Sequence, residues 1–245
     1  PLPAGLQDEF ERHFRMPLIE GYGLTETSPV LTVNPPGGVC KHGSVGPALP
    51  GVELQIRAED DTVLPTGAIG EVMARGKNVM KGYWNDAATT EAAFTGDGWL
   101  RTGDVGYLDE DGYLFLVDRK KDLVIVKGLN VYPREVEDIL MEHPAVAEAA
   151  VIGVPDARGD EKLRAYVTLK KDAVATPKEL SALFKGRLAP YKVPKVFTII
   201  DEMPVNHLGK TLKRELREMA RREAAARAEA AAARAKTPAG AGSAS

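Results

Sequence analysis

The stretch from Asp118 to Glu137, DRKKDLVIVKGLNVYPREVE, marks the place where two different sequence patterns meet. It begins with DRKKD, a run of charged residues of the kind that connects folded units at the surface. It ends with YPREVE, which places Pro133 at the first position of a predicted helix, where proline is well tolerated. The stretch therefore divides the chain into residues 1–117, a linker over residues 118–122, and a second unit that begins at residue 123.

The second unit begins with a helix and continues with strands. The segment YPREVEDILMEHP carries Val136, Ile139 and Leu140 on one helical stripe and ends before Pro144. VAEAAVIGV and LRAYVTLK follow as two predicted strands, and KVFTII is a last one.

A second helix is predicted between these strands, in TPKELSALFKGRLAPYKVP. Thr176 and Glu179 have the spacing of a capping box, and Pro177 occupies the first helical position. Its apolar side chains are Leu180, Leu183, Phe184 and Leu188. With these elements residues 123–216 have the size of a small independent mixed α/β domain.

A different composition begins at Leu212, with LKRELREMARREAAARAEAAAARAKTPAGAGSAS. Alanine and arginine give high helix propensity, but almost nothing large and apolar follows Met219. We expect residues 217–245 to form a projecting helical tail that becomes disordered from about Lys236. A solvated tail is the simpler interpretation, and partner binding by the tail is left open.

The upstream part has the pattern of a small antiparallel sheet or barrel. Between Val52 and Val117 it shows short alternating runs, VELQIR, GEVMAR and GYLFLVD, and the DEDG of Asp109–Gly112 reads as a hairpin turn. Before them, a predicted helix over Leu6–Phe14 has its large apolar residues on one face. The predicted fold class of the chain is therefore α+β.

Composition excludes several classes of function. The 245 residues are 44% hydrophobic and 27% charged with a net charge of −3, and they contain no basic stretch interleaved with aromatics, so nucleic-acid binding is not expected. One cysteine, Cys40, allows no disulfide within the chain and favours a reducing, cytoplasmic setting. No apolar run approaches the length of a membrane span, about 18 residues, although peripheral membrane contact is left open. The start at Pro1 rather than Met leads us to expect a piece of a longer protein.

The segment GYGLTETSP carries groups that suit a nucleotide. Gly21 and Gly23 permit close approach of the backbone to a ligand, and Tyr22 offers a flat face. Thr25 supplies a hydroxyl for a phosphate, and Glu26 supplies a hard carboxylate for Mg²⁺. A glycine-rich turn with no ligand is the alternative.

Three further segments add groups of the same kind. Asp104, in GWLRTGDVGYL, follows a predicted strand and can accept two hydrogen bonds from a ribose diol. Arg119 can reach the same nucleotide, and Gly128 permits the approach of a thin ligand. Lys210 follows a Pro-x-Asn-x-x-Gly turn, and its ammonium suits charge developing between a carboxylate and an α-phosphate. Each segment taken alone also reads as an ordinary turn.

The order and spacing of GYGLTE, GWLRTGD, DRKKDLVIVKGLNVYPREVE, LAPYKVPK and PVNHLGK together resemble the carboxyl-terminal half of the adenylate-forming superfamily. This superfamily includes acyl-CoA synthetases, the adenylation domains of peptide synthetases, and luciferases. The resemblance covers about Ile19 to Leu216. KGLNVYPREVE and LAPYKVPKVF look most like bacterial long-chain fatty-acid CoA ligases.

The resemblance implies a role for each matching residue in the nucleotide site. Tyr22 would stack on adenine, Thr25 would contact the α-phosphate, and Glu26 would help to hold Mg²⁺. Asp104 would bind the ribose hydroxyls, with Arg119 assisting.

The resemblance also implies roles in the mobile small domain. Lys121 falls at the family's hinge, which makes residues 118–122 a hinge, and Lys210 falls on the lysine that contacts both the acyl carboxylate and the α-phosphate. The loop around Gly128 lies where the family lines the pantetheine path of CoA. Some relatives have a further lysine in LIKYKG-like sequences, but this chain has Ile125 there, so Lys127 does not inherit that role.

The function implied by the resemblance is that of an ATP-dependent long-chain fatty-acid CoA ligase, which forms an acyl-adenylate and then acyl-CoA. Its substrates would be a small-molecule carboxylic acid, ATP and CoA, with Mg²⁺ as cofactor. The family's Ser/Thr/Gly-rich phosphate loop and most of its acyl pocket would lie upstream, so we expect this fragment alone to be inactive. Alternatives are an aryl- or dicarboxylate-CoA ligase, a peptide-synthetase adenylation domain, and a non-catalytic nucleotide-binding or protein-interaction remnant.

Overall fold

A computed structural model describes residues 4–156, 160–207 and 209–236, without the side chains of residues 4–6 and 227–236. The chain separates into two compact units, Pro1–Leu123 and Val124–Ser245. Each unit combines helices with small sheets, which confirms the predicted mixture of α and β structure. None of the described helices has both the length and the apolar composition of a membrane span.

The first unit begins with helix α1, Ala4–Phe14, and a two-stranded antiparallel ribbon, β1 (Gly21–Gly23) and β2 (Val30–Val33). The ribbon occupies the glycine-rich segment that the sequence presents as a turn. Gly23 is needed for the ribbon itself, because a Cβ there would lie 1.8 Å from the carbonyl oxygen of Pro29. Close packing of the chain on itself therefore explains this glycine without a ligand.

A four-stranded antiparallel sheet forms the centre of the first unit, with its strands adjacent in chain order. Its elements, with the helix inserted before the third strand, are β3 (Val52–Arg57), β4 (Gly70–Gly76), α2 (Ala87–Ala93), β5 (Leu100–Leu108) and β6 (Leu114–Arg119). The three predicted strands are confirmed, and the DEDG turn joins β5 to β6 as predicted. Asp104 lies inside β5, and not after a strand as the sequence suggested.

The second unit begins with a hairpin that the sequence analysis did not predict. Its strands are β7 (Val124–Val126) and β8 (Leu129–Val131), and Val126 pairs with Leu129 across a two-residue turn. Both turn residues have positive φ, 52° at Lys127 and 77° at Gly128, which is the requirement of the type I′ turn that suits twisted hairpins. The KG pair between two valine-rich runs was the signal for this turn.

A three-stranded sheet and two helices follow the hairpin. They are α3 (Pro133–Met141), β9 (Val146–Pro155), β10 (Glu161–Leu169), α4 (Pro177–Ala182) and β11 (Val196–Ile199). The sheet order is β11-β10-β9, with β9 antiparallel and β11 parallel to β10. The predicted strands, helix starts and capping box are confirmed. The second predicted helix is shorter than its apolar stripe, because Gly186 turns the chain with a φ of 75° before Leu188.

Helix α5, Lys213–Lys236, covers the other face of this sheet. Leu216 and Ala220 are buried in a cluster with Ile152 and Tyr166. Glu223 forms an ion pair with buried Arg164 of β10, so the attached part of α5 extends one turn beyond Met219. The predicted disorder after about Lys236, and the side chain of Leu6, lie outside the described residues.

Candidate functional site

A pocket of about 450 Å³ opens in the first unit, beside the ends of β5 and β6. Its lining residues are Leu24, Thr102, Gly103, Asp104, Arg119, Lys120 and Lys121. Three cationic side chains and one carboxylate suit a ligand that carries both phosphate and hydroxyl groups.

Asp104 and Arg119 are predicted site residues that line this pocket, and Tyr22 is a third predicted residue that contacts Asp104. The hydroxyl of Tyr22 donates a hydrogen bond of 2.7 Å to Oδ2 of Asp104, across 82 positions of sequence. Asp104 and Arg119 are partners on adjacent strands, and Nε of Arg119 lies 3.7 Å from Oδ1 of Asp104. The arrangement leaves the two oxygens of one carboxylate facing two different groups.

Burial and the neighbouring Asp104 charge raise the pKa of the Tyr22 phenol well above its ordinary value. Both influences oppose ionisation, because a phenolate would be desolvated and would face a carboxylate. Tyr22 therefore remains a hydrogen-bond donor throughout the neutral range, and Asp104 remains its acceptor.

Asp104 is presented to the pocket by a bulge in β5. Met73 pairs with Arg101 and Glu71 pairs with Val105, so three residues of β5 lie opposite one residue of β4. The Thr102 hydroxyl donates to the carbonyl of Val72 at 2.7 Å and accepts from the Asp104 amide at 3.2 Å. Bulges of this kind redirect a side chain out of the regular ladder, which explains how the side chain of a strand residue comes to line the pocket.

Thr25 and Glu26 lie in a 3-10 turn, Thr25–Thr27, directly after β1. Thr25 is exposed, whereas Glu26 is half-buried and accepts a 2.9 Å hydrogen bond from the hydroxyl of Tyr83. That hydrogen bond is the main reason why the pKa of Tyr83 is raised. Among the described residues no group of three or more His, Cys, Asp or Glu side chains could hold a metal ion. A single carboxylate still fits Mg²⁺ at a nucleotide, because phosphates and waters supply most of its ligands there.

Gly128 and Lys210 lie in the second unit, so the structure does not place them relative to the pocket. Gly128 is exposed in the β7–β8 turn. Lys210 is exposed at the end of a loop that two hydrogen bonds to Asn206 close. The Lys210 backbone amide donates to Oδ1 of Asn206, and the Asn206 backbone amide donates to the Lys210 carbonyl, each at 2.9 Å. The Pro-x-Asn-x-x-Gly-Lys spacing thus fixes the backbone from which the Lys210 side chain extends.

The sequence analysis missed four residues of the pocket lining, one of which is Gly103 at the centre of the β5 bulge. Leu24 follows β1, Thr102 holds the bulge, and Lys120 stands between two residues that had been predicted. The available signal for Thr102 was its position two residues before Asp104 in RTGD. The run of three cations in DRKK was the signal for Lys120.

Comparison with protein families gives two matches. Residues 1–84 match the model described as AMP-binding enzyme, and residues 135–210 match the model described as AMP-binding enzyme C-terminal domain.

Curated and solved relatives cover most of this chain. A long-chain-fatty-acid–CoA ligase of Bacillus subtilis (strain 168) is 46% identical over 218 residues, 89% of this chain and 39% of the relative. A 2-succinylbenzoate–CoA ligase of the same organism is 42% identical over 219 residues, 89% of this chain and 44% of the relative. The crystal structure of ATP-bound MatB from Rhodopseudomonas palustris matches with a TM-score of 0.85 at 41% identity, over 89% of this chain and 44% of that one. The chain thus spans less than half the length of these relatives.

Proposed function

Because this chain belongs to the AMP-binding, or adenylate-forming, enzyme family, we propose that it is the carboxyl-terminal part of an ATP-dependent acyl-CoA ligase. The observation that carries the proposal is the cluster of Tyr22, Asp104 and Arg119 at a pocket lined by cations. A carboxylate held between a phenol and a guanidinium is preorganised to accept hydrogen bonds from a ribose diol, while the neighbouring lysines favour phosphate.

The proposed reaction has two steps. A carboxylate attacks the α-phosphorus of ATP, forming an acyl-adenylate and releasing pyrophosphate. The thiol of CoA then attacks the acyl carbon, forming the thioester and releasing AMP. The first step converts a poor leaving group into a good one, which is the chemical reason for separating the steps.

In this reaction the first unit binds the nucleotide. Asp104 and Arg119 hold the ribose, Tyr22 faces the adenine, and Thr25 contacts the α-phosphate. Gly21 lets the backbone lie close to the ligand, whereas Gly23 is required by the packing of the β1–β2 ribbon that carries Tyr22. Mg²⁺, when bound at Glu26, neutralises phosphate charge.

The second unit supplies the mobile groups. Lys210 stabilises the negative charge shared by the acyl carboxylate and the α-phosphate during adenylation. Gly128 lines the path of pantetheine in the second step, and Lys121 is the hinge about which the small domain turns between steps. Lys127, which forms the αL turn residue of the β7–β8 hairpin, is given no catalytic role.

We propose a long-chain fatty acid as the substrate and the cytoplasm as the location. The 46% identity to a long-chain-fatty-acid–CoA ligase supports this acid, although the 42% identity to a 2-succinylbenzoate–CoA ligase favours an aromatic dicarboxylate almost as well. The single cysteine supports a reducing compartment.

The test is a chimera in which this chain replaces the matching carboxyl-terminal segment of the Bacillus subtilis long-chain ligase. The expected result is ATP- and CoA-dependent formation of oleoyl-CoA, which disappears in the Asp104→Ala variant. A chimera that folds and binds AMP but releases no pyrophosphate with any acid would contradict the ligase proposal and favour a non-catalytic nucleotide-binding protein. Because most of the acyl pocket would lie upstream of this chain, the chimera tests the ligase role and not the choice of acid.

A further inference from the structure

Glu71 is a buried carboxylate to which the proposed reaction gives no role. It stands near the start of β4 with its side chain only 7% exposed. A carboxylate at such a position is costly unless cations and N–H groups compensate it. Its partners therefore indicate what keeps it there.

The first partner is the bulge that presents Asp104. The amide of Gly103, the central residue of the bulge, donates to Oε1 of Glu71 at 3.3 Å. Gly103 has a φ of 71°, a left-handed conformation that needs local support to persist as one structure. Glu71 and Thr102 together hold the bulge from two sides.

The second partner lies in the segment Arg119–Lys121, which also lines the pocket. Nζ of Lys120 is 2.7 Å from Oε2 of Glu71, and a guanidinium nitrogen of Arg101 lies 3.9 Å from the same oxygen. Lys120 immediately follows Arg119, which faces Asp104, and immediately precedes Lys121. One carboxylate therefore contacts both walls of the pocket, which are the bulge that carries Asp104 and the segment Arg119–Lys121.

We propose that Glu71 is a positioning residue that fixes the separation of Asp104 and Arg119 and anchors the segment from Lys120 onward. With both walls held by one buried group, the ribose site is formed before the ligand arrives, and less ordering is needed on binding. The identity of the ligand as an adenine nucleotide rests on the proposed function, whereas the positioning of the two walls does not.

The first arm of the test observes the ligand-free chain by ¹H–¹⁵N NMR with amide exchange. In Glu71→Ala we expect amide exchange at Gly103 and Asp104 to become about tenfold faster, because the bulge loses an acceptor. Glu71→Gln keeps an oxygen for Gly103 but loses the charge that holds Lys120, so it should shift the Arg119–Lys121 resonances more than those of the bulge. Lys120→Met should reproduce the Glu71→Gln pattern. Unchanged resonances at both walls in folded Glu71→Ala would overturn the proposal.

The second arm titrates the same proteins with AMP. The dissociation constant should rise about tenfold in Glu71→Ala and less in Glu71→Gln. The matched control is Glu53→Gln, which removes an exposed carboxylate paired with Arg75 on the neighbouring strand and should leave AMP binding unchanged. If Glu71 only stabilised the fold, Glu71→Ala would lower the urea midpoint without changing the AMP affinity of the folded protein. That result would contradict the proposal. If the wild-type chain failed to bind AMP, the proposed function would be contradicted, while the exchange data would still decide the role of Glu71.

Discussion

At the scale of single residues, the candidate site depends on a phenol that does not ionise. Tyr22 is held in its neutral form by burial and by Asp104, and it occupies one oxygen of that carboxylate. The other oxygen faces Arg119, so the Asp104 carboxylate is oriented from both sides in the ligand-free chain. Substitutions at Tyr22 should therefore affect pH dependence as well as binding.

The stability that Tyr22 contributes should decline in alkaline solution. Its folded pKa lies above the ordinary value of 10.0, so the unfolded chain loses the phenolic proton first as the pH rises. The contribution is fully present below pH 10.0 and is lost as the pH rises towards the folded pKa. We compare the free energies of unfolding of wild type and Tyr22→Phe in urea between about pH 8 and about pH 11. As the pH rises, the free energy of unfolding of wild type should fall relative to that of Tyr22→Phe.

Tyr107→Phe is the matched control for this measurement. Tyr107 is a half-buried tyrosine of the same strand as Asp104, and its ring stacks on Phe115 at 5.0 Å. A stability difference for Tyr22→Phe that stayed constant with pH would contradict the raised pKa.

Lys210 should act in one half-reaction only. In the chimeric ligase, Lys210→Ala removes one preorganised donor and should slow adenylation by about 2 to 4 kcal/mol in the barrier. Thioester formation from ready-made acyl-adenylate and CoA should continue at a near-normal rate, because in the proposed mechanism the small domain turns before this step. Pyrophosphate release and thioester formation are measured separately.

Lys171→Ala, at another exposed lysine of the second unit, serves as the comparison and should affect neither step. Equal losses in both half-reactions of Lys210→Ala would refute a step-specific role.

At the scale of elements, α5 is more firmly attached than its composition indicates. Its first turns bury Leu216 and Ala220, and Glu223 reaches Arg164, whose side chain is 7% exposed on β10. Arg164 also donates to the Thr198 hydroxyl on β11, so the ion pair connects the helix with two strands.

Glu223→Ala should destabilise the second unit by about 1 to 3 kcal/mol, because it leaves the buried guanidinium of Arg164 without its carboxylate. Thermal or urea unfolding of the whole chain measures the loss. Glu218→Ala, at an exposed position of the same helix, should change stability by less than about 0.5 kcal/mol. Similar effects of the two substitutions would mean that the ion pair does not hold α5 in place.

The start of α4 offers a second test at this scale. The Thr176 hydroxyl oxygen accepts a hydrogen bond from the Glu179 amide, and the Glu179 carboxylate accepts one from the Thr176 amide. Thr176→Ala should lower the free energy of unfolding by about 1 kcal/mol, whereas Thr176→Ser should retain most of it. Denaturant unfolding distinguishes the two, and an equal loss in both would show that the cap contributes little.

At the scale of the whole molecule, the two compact units each contain their own core. The second unit packs α3, α4 and the β7–β8 hairpin on one face of its sheet and α5 on the other. The first unit centres on a smaller cluster around Val45, Ile56, Val72 and Leu114. The predicted hinge over residues 118–122 remains a prediction. The division between the units lies after Leu123, and a 3-10 turn spans Lys120–Asp122.

Residues 124–236 should fold when produced alone, because both faces of their sheet are covered from within. We expect a single cooperative unfolding transition and amide protection in β9 and β10 equal to that in the whole chain. The shorter version ending at residue 216 should be less stable, since it lacks Ala220 and Glu223. Lower protection of β9 and β10 in residues 124–236 alone than in the whole chain would contradict independent folding.

Local patterns were sufficient for most elements of the fold. Alternation predicted β3, β4 and β6, a helical stripe predicted α3, helix propensity predicted α5, and the Thr176 and Glu179 spacing predicted the cap of α4. They failed where long-range contacts override a local signal. The β1–β2 ribbon looked like a turn because its glycines are required by close backbone packing, and α4 ended early because Gly186 turns the chain.

The sequence by itself determined the residue types of the candidate site and their order, since glycines, Tyr22, Asp104, Arg119 and Lys210 stand in motifs whose chemistry can be read locally. Only the tertiary structure decided which of them meet. The Tyr22–Asp104 hydrogen bond, the bulge that redirects Asp104 and the burial of Glu71 all depend on strand register, and register is fixed by cross-strand packing between segments far apart in the chain. No window of neighbouring residues contains that information.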